Sequence, residues 1–290
     1  MTPLDPFRDG IWLKREDEHQ LGAFKWRGAL ATLEALKPDV VVTASTGNHG
    51  AATAWAARRA GIRAIVFVPE AASAAKVALI ELQGAELRRV GADLDEAKAA
   101  ARELAEREGW FLFEDGAEPA QFDGYAAVGD ELLDQLTEPP GSVVVPVGNG
   151  ALAIGVFRAL AARAPMTERV AVSAAGAPAM WESWRAGRPV DSESSATFAD
   201  GLAVRIAIPL AVAELNPLVQ RFELVTEREL ALAVGAYAEV GIRVEGAAAA
   251  PLAVALRETL RRPVVLIVTG RNIDDELWRR AVAAPDSFAA

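Results

Sequence analysis

The stretch "SVVVPVGNGALAIG" (142–155) joins a valine run to a Gly-Asn-Gly turn and then to an apolar segment with helical spacing. A strand reads as a continuous apolar run when both of its faces are covered. Working outward, the same unit recurs. "VVVT" (40–43) precedes a helix from about Asn48 to Ala60 that Gly61 can close, and "AIVFVP" (64–69) leads to "SAAKVALIELQG". "WFLF" (110–113) is followed by a helix around 125–136, and "RVAVSA" (169–174) and "PVVLIV" (263–268) extend the series. Between them "DLDEAKAAARELAEREG" is amphipathic with a helical period. Repeated strand–helix units predict an α/β, doubly wound architecture with mostly parallel sheet flanked by helices. "GRPVDSESSATFADG" (187–201) reads as a long ordered connection.

Composition narrows the chemistry. The 290 residues are 52% hydrophobic and 24% charged, with a net charge of -10 and no clustered Lys/Arg stripe, so no nucleic-acid partner is expected. "MTPLDPFRDG" has neither a basic nor an apolar signal region, and "GAAAAPLAVAL" (246–256) stops at Arg257 before reaching membrane-spanning length. A cytoplasmic protein with no membrane partner is the expectation. There is no cysteine and there are two histidines, His19 and His49, in neither HExxH nor GxSxG. An enzyme built from this chain would rely on a lysine, on carboxylates or on a borrowed cofactor.

Three sites qualify. In "GAFKWRGA" (22–29) Lys25 stands between Phe24 and Trp26. It is either a snorkelling stem with a solvated head or an amine that apolar neighbours make readier to give up its proton. "TASTGNHG" (43–50) places Ser45, Thr46, Gly47, Asn48 and His49 at a helix entrance. Backbone N–H groups and hydroxyls there suit a carboxylate or phosphate, although Ser45 or Thr46 would also serve as a cap. Gly148 and Gly150 allow close backbone approach to an anion. Their spacing fits the loose dinucleotide fingerprint, but the next strand ends in Ser173, Ala174 and Ala175 with no acid for a ribose. A single phosphate fits better than a nicotinamide cofactor.

"LKREDEHQLGAFKWRGA" (13–29) followed by "TASTGNHGAATAWAARRAGI" (43–62) resembles the serine/threonine dehydratase family of pyridoxal-phosphate enzymes, which have the tryptophan-synthase-β-like fold. The likeness continues in order through "VVVPVGNGALAIG", "FADGLAV", "VEGAAAAPLA" and "VLIVTGRNID". It implies two domains, each with a mostly parallel sheet flanked by helices: 1–42 with 120–290 binding the cofactor, and 43–119 closing over the active site. It implies pyridoxal 5'-phosphate as cofactor, Lys25 as the Schiff-base lysine and general base, and Phe24 against the cofactor. Asn48 would bond the ring's phenolic oxygen, and Ser45, Thr46, Gly47, Asn48 and His49 would receive the carboxylate of an amino-acid substrate. Gly148, Asn149, Gly150, Ala151 and Leu152 would cradle the phosphate, Gly201 would lie near the ring, and Thr269 would face the pyridine nitrogen. The implied reaction is β-elimination on L-threonine or L-serine to a 2-oxo acid and ammonia, in a homodimer.

Some positions depart from that pattern. Ala23 stands where the family usually has serine, and Thr46 stands where its racemases carry a serine acid/base, with a stiff χ1 that works against that role. "SAAGAPAMW" (173–181) lacks the acids that hold a divalent metal in some members, so no metal is expected. Glu245 reads as a helix N-terminal acid that approaches the cofactor or only the helix end. Lys25 arrives early and little follows "TGRNID", so neither a leading helical segment nor a C-terminal regulatory domain is expected. β-Replacement, racemisation, a non-catalytic binder of a phosphorylated small molecule and a nicotinamide enzyme remain competing readings.

Overall fold

In the computed structural model, which describes residues 1–8, 10–72 and 74–288, Ile65 and Phe67 lie in one core cluster while Val66 and Val68 lie in another. Alternate residues of a strand point to opposite faces, so this strand is covered on both sides, which is why its sequence is apolar without interruption. It belongs to one of two compact units, Lys25–Gly124; the other is Met1–Phe24 with Tyr125–Ala290.

The Lys25–Gly124 unit contains α1 (Trp26–Leu36), β3 (Val40–Ala44), α2 (Asn48–Ala60), β4 (Arg63–Val68), α3 (Ala74–Glu81), β5 (Glu86–Arg89), α4 (Leu94–Glu108) and β6 (Phe111–Leu112). Ile65 to Val68 belong to β4. The four strands form a parallel sheet in the order β5-β4-β3-β6, with Val42 opposite Ile65. On one face Val40, Val42, Ile65 and Phe67 pack on Ala97, Ala101, Leu104 and Ala105 of α4. On the other, Val66 and Val68 pack on Ala51 and Ala54 of α2 and on Val77 and Ile80 of α3. Asp93 caps α4 by accepting from the Glu96 amide, and Gly61 closes α2 in the left-handed conformation (φ 70°), as its sequence indicates. Trp26 meets Trp55 edge-on, 5.8 Å between ring centroids, where α1 packs on α2.

The other unit holds β1 (Leu4–Arg8), β2 (Ile11–Arg15), β7 (Ser142–Pro146), β8 (Glu168–Ala174), β9 (Arg221–Val225) and β10 (Val264–Val268) in the order β1-β2-β10-β7-β8-β9. All neighbours are parallel except β1 and β2. Its helices are α6 (Ala151–Arg163), α7 (Ala179–Ala186), α8 (Pro209–Leu215), α9 (Glu227–Ala238), α10 (Gly246–Arg257) and α11 (Asp275–Ala283). Residues 187–199 have no regular secondary structure. Both sheets are mostly parallel and helix-flanked, the class the sequence predicts. The units divide after Phe24 and after Gly124, within α5 (Pro119–Gln135), whereas the sequence reading set 42/43 and 119/120; α1 groups with the smaller unit because it packs on α2. Among the described residues, no helix is long and apolar enough to cross a membrane.

Ile65 is fully buried, so Ile65→Ala is expected to cost about 2–5 kcal/mol through the cavity it opens. A fall in the urea midpoint with an unchanged m value would register it.

Candidate functional site

Lys25 occupies the position before the first residue of α1, and its side chain is 15% exposed. Flanking aromatics suggested an apolar setting, but what the amine meets is a carboxylate: Nζ donates to Oδ2 of Asp115 at 2.7 Å. Phe24 instead packs its ring on Tyr125, 5.1 Å between centroids, within its own unit. Asp115 lies between β6 and α5, and the sequence reading passed over it. Its Oδ1 accepts from Nε2 of Gln121 at 2.7 Å, and Gln121 is oriented in turn by the Gly116 amide donating to its Oε1 at 2.7 Å. Burial alone would raise the Asp115 carboxyl, but the Lys25 ammonium, His49 and these hydrogen bonds hold it well below the usual carboxylate range.

His49 is buried with its ring edge on Phe113 at 4.7 Å. Nε2 lies 3.1 Å from Thr43 Oγ1 and 3.2 Å from the Phe113 carbonyl, to which Thr43 also donates at 2.8 Å. Both neighbours of Nε2 therefore act as acceptors, and the network assigns the hydrogen to Nε2. Nδ1 is left bare, 3.6 Å from Asp115 Oδ1. Burial lowers the affinity of the ring for a second proton, against the opposing pull of Asp115. The ring of His49 thus faces inward, toward Thr43, Phe113 and Asp115.

The start of α2 resolves the capping alternative. Gly47 is the N-cap and no side chain caps the helix; Ser45 Oγ accepts the Gly47 amide at 3.2 Å, one residue short of a cap. Ser45, Thr46 and Asn48 are half-buried and Gly47 is exposed. The positive end of α2 is therefore open to an anion. A side chain at Gly50 would come within 2.6 Å of the Ser45 carbonyl, so the loop lies tight on its helix.

The second unit gathers the remaining candidates around the ends of β7 and β10. Gly150 (φ 98°) is the N-cap of α6, again with no side-chain cap; Ala151 donates to Asn149 Oδ1 at 3.1 Å, and Leu152 follows in the first turn. Only glycine takes that φ readily. A Cβ at Gly148 would collide with the carbonyl of Gly201, and one at Gly201 would lie 2.9 Å from Ala247 Cβ. Thr269 is 2% exposed, and its Oγ1 has no hydrogen-bond partner among the described residues. Its carbonyl accepts from the Phe24 amide at 3.0 Å, Arg271 donates to Gly22 O at 2.9 Å, and Asn272 Nδ2 to Leu21 O at 2.7 Å. The chain leading into Lys25 is thereby stapled to the end of β10. Glu245 is the N-cap of α10 but makes no capping bond; its carboxylate lies against Gly270, where a Cβ would sit 2.7 Å away. Among the described residues, no three His, Cys, Asp or Glu side chains gather as metal ligands.

The structure thus collects Lys25, Ser45–His49 and Asp115 in one unit, and Phe24, Gly148–Leu152, Gly201 and Thr269 in the other. Asp115 carried one signal in the sequence: "FEDG" (113–116) places acids just after a strand, the edge where ligands bind in α/β sheets.

A family model described as pyridoxal-phosphate dependent enzyme matches residues 2–270. The L-threonine ammonia-lyase of Geobacter sulfurreducens is 35% identical over 273 residues, 91% of this chain and 67% of that protein. The chain spans only 39% of the biosynthetic L-threonine dehydratase of Pasteurella multocida. Threonine deaminase isoform 2 of Solanum lycopersicum superposes with a TM-score of 0.92 at 27% identity, covering 98% of this chain and 88% of that one. Maize serine racemase gives 0.89 at 29% identity, covering 96% and 90%.

Thr269→Val, which replaces a partnerless buried hydroxyl by a methyl, is expected to leave the ligand-free chain as stable or up to about 1–3 kcal/mol more so, read from denaturant midpoints. Acid should act in the opposite sense. A histidine whose affinity for a proton is lowered by burial contributes stability that is complete above its ordinary value of 6.5 and is lost as the pH falls below it. Asp115, held low, adds a further loss below its ordinary 3.8. The urea midpoint should fall between pH 7.5 and pH 5, and His49→Gln should flatten that fall.

Proposed function

This chain belongs to the pyridoxal-phosphate dependent enzymes, and from that premise we propose that it is an ammonia-lyase eliminating the β-hydroxyl of L-threonine or L-serine to give a 2-oxo acid and ammonia. The observation that carries the reading is the buried hydroxyl of Thr269, without a partner among the described residues, at the end of the strand to which the residue before Lys25 is bonded. The residues fit the cofactor. The glycine-lined, uncapped start of α6 suits its phosphate, and Thr269 Oγ1 offers a neutral partner for its ring nitrogen. When bound, pyridoxal phosphate supplies an aldehyde for an amine and a ring that draws electrons from the substrate's Cα.

The chain's own groups do the rest. Lys25 Nζ would hold the cofactor through its aldehyde and, once free, would take the proton from the substrate's Cα. The open start of α2, with Ser45 and Thr46, binds and orients the substrate carboxylate, and Asn48 meets the ring oxygen. Phe24 would pack against the cofactor, and Gly201 would leave room beside it. A threonine hydroxyl, unlike an aspartate, does not keep the ring nitrogen protonated. The electron sink is correspondingly weaker, which favours losing a β-hydroxyl over transamination. The same reading makes the enzyme a cytoplasmic homodimer, which sedimentation tests as a particle of twice the chain mass. A second reading, racemisation, is supported by the likeness to maize serine racemase; it predicts D-amino acid in place of 2-oxo acid and ammonia.

Borohydride reduction of the cofactor-loaded protein, followed by peptide mapping, should find the pyridoxyl group on Lys25. Label spread over surface lysines such as Lys98 would overturn the assignment. Lys25→Ala should lose at least about 10²–10⁴-fold in turnover and the adduct with it.

A further inference from the structure

We infer that Asp115 is the positioning residue for Lys25, a fixed carboxylate that holds Nζ and stabilises the positive charge that grows there as Lys25 takes the substrate's α-proton. The inference rests on the role given to Lys25 above and adds a residue from outside the sequence motifs.

The geometry is specific. Asp115 Oδ2 faces Lys25 Nζ at 2.7 Å, while Oδ1 is held by Gln121, which is itself held by the Gly116 amide. With both oxygens engaged, the carboxylate cannot turn away from the amine. The other groups around it do not share its charge. His49 approaches Oδ1 at 3.6 Å, where burial works against a second proton on its ring. Lys98 acts on His49 from α4, and the neighbouring Glu114 pairs with Arg102 at 3.5 Å. The cation in contact with Asp115 is Lys25, side chains 25% and 15% exposed, where screening by water is partial.

The consequence follows from charge. As Lys25 takes the α-proton, the Cα–H bond breaks, an Nζ–H bond forms and the electron pair stays with the substrate. Positive charge grows on Nζ, and a carboxylate already in place stabilises it most when that transfer is complete. The same carboxylate ties Nζ into a 2.7 Å hydrogen bond that an attacking amine has to give up. Asp115 thus helps Lys25 as a base and hinders it as a free nucleophile.

Asp115→Asn keeps the size and the hydrogen bond from Gln121 but removes the charge. Two measurements on the full chain should move in opposite directions. Without cofactor, acetic anhydride labelling of Lys25 at pH 7.5, followed by mass spectrometry, should be on the order of tenfold faster in the variant, the effect of removing an opposite charge within a few ångströms. With cofactor, kcat should fall on the order of tenfold, KM should hold, and the isotope effect with α-deuterated substrate should rise; Asp115→Glu should recover most of both. Lys14, which is fully buried, should stay unlabelled in the variant, because damage to the fold would expose both amines. Unchanged or slower labelling in Asp115→Asn, or unchanged kcat and isotope effect, would overturn the inference. Faster labelling in a chain that fails to bind pyridoxal phosphate at all would instead count against the proposed function.

Discussion

The hydrogen bond from the Phe24 amide to the Thr269 carbonyl, 3.0 Å long, fixes where Lys25 leaves the backbone. It is one rung of a short antiparallel contact between residues 21–24 and 269–272, completed by the Ala23–Gly270 bridge and by Asn272. Gly22 makes the contact possible: its φ of 65° turns the chain, and a side chain there would meet Asn272 Oδ1 at 2.5 Å. The lysine therefore begins from a backbone held by main-chain bonds. Its far end is held within its own unit by Asp115. A long, flexible side chain loses much of its rotamer freedom when both ends are fixed, and here that ordering is met in advance of any reaction.

α2 is a thin helix. Ala51, Ala52, Ala54, Ala56 and Ala57 of α2 are all buried, so the helix backbone lies close to the sheet and its first turn sits near the strand ends. α6 begins at Gly150, whose φ of 98° is one that side chains rarely adopt, against Met180 and Leu215.

How far the sequence could be read follows from burial. β3, β4, β7, β8 and β10 are apolar runs because helices cover both faces, and local composition reveals them. β5 and β9 lie at sheet edges, and "ELRR" and "RFELV" carry the charges that edges tolerate. β2 is interior yet reads as surface because Lys14 is fully buried, bonded to Glu131 at 2.8 Å and to Gln135 at 2.9 Å. Those partners lie 117 and 121 residues away, and no local pattern announces them. The site divides in the same way. Glycine turns and the Lys25 motif are local and legible, whereas the Lys25–Asp115 pair joins residues 90 apart and only the folded chain brings it about. The inward-facing ring of His49 is likewise a product of tertiary contacts with Thr43 and Phe113.

The uncapped starts of α2 and α6 have a consequence for traffic through the solvent. They offer local attraction to anions on a molecule whose net charge is -10, so an approaching phosphate or carboxylate is repelled at long range and welcomed at short range. The Debye length shrinks from about 30 Å at 0.01 M to about 8 Å at physiological ionic strength, which screens the distant repulsion more than the contact attraction. Moderate salt should hasten the arrival of anionic ligands, the reverse of what an oppositely charged funnel would give.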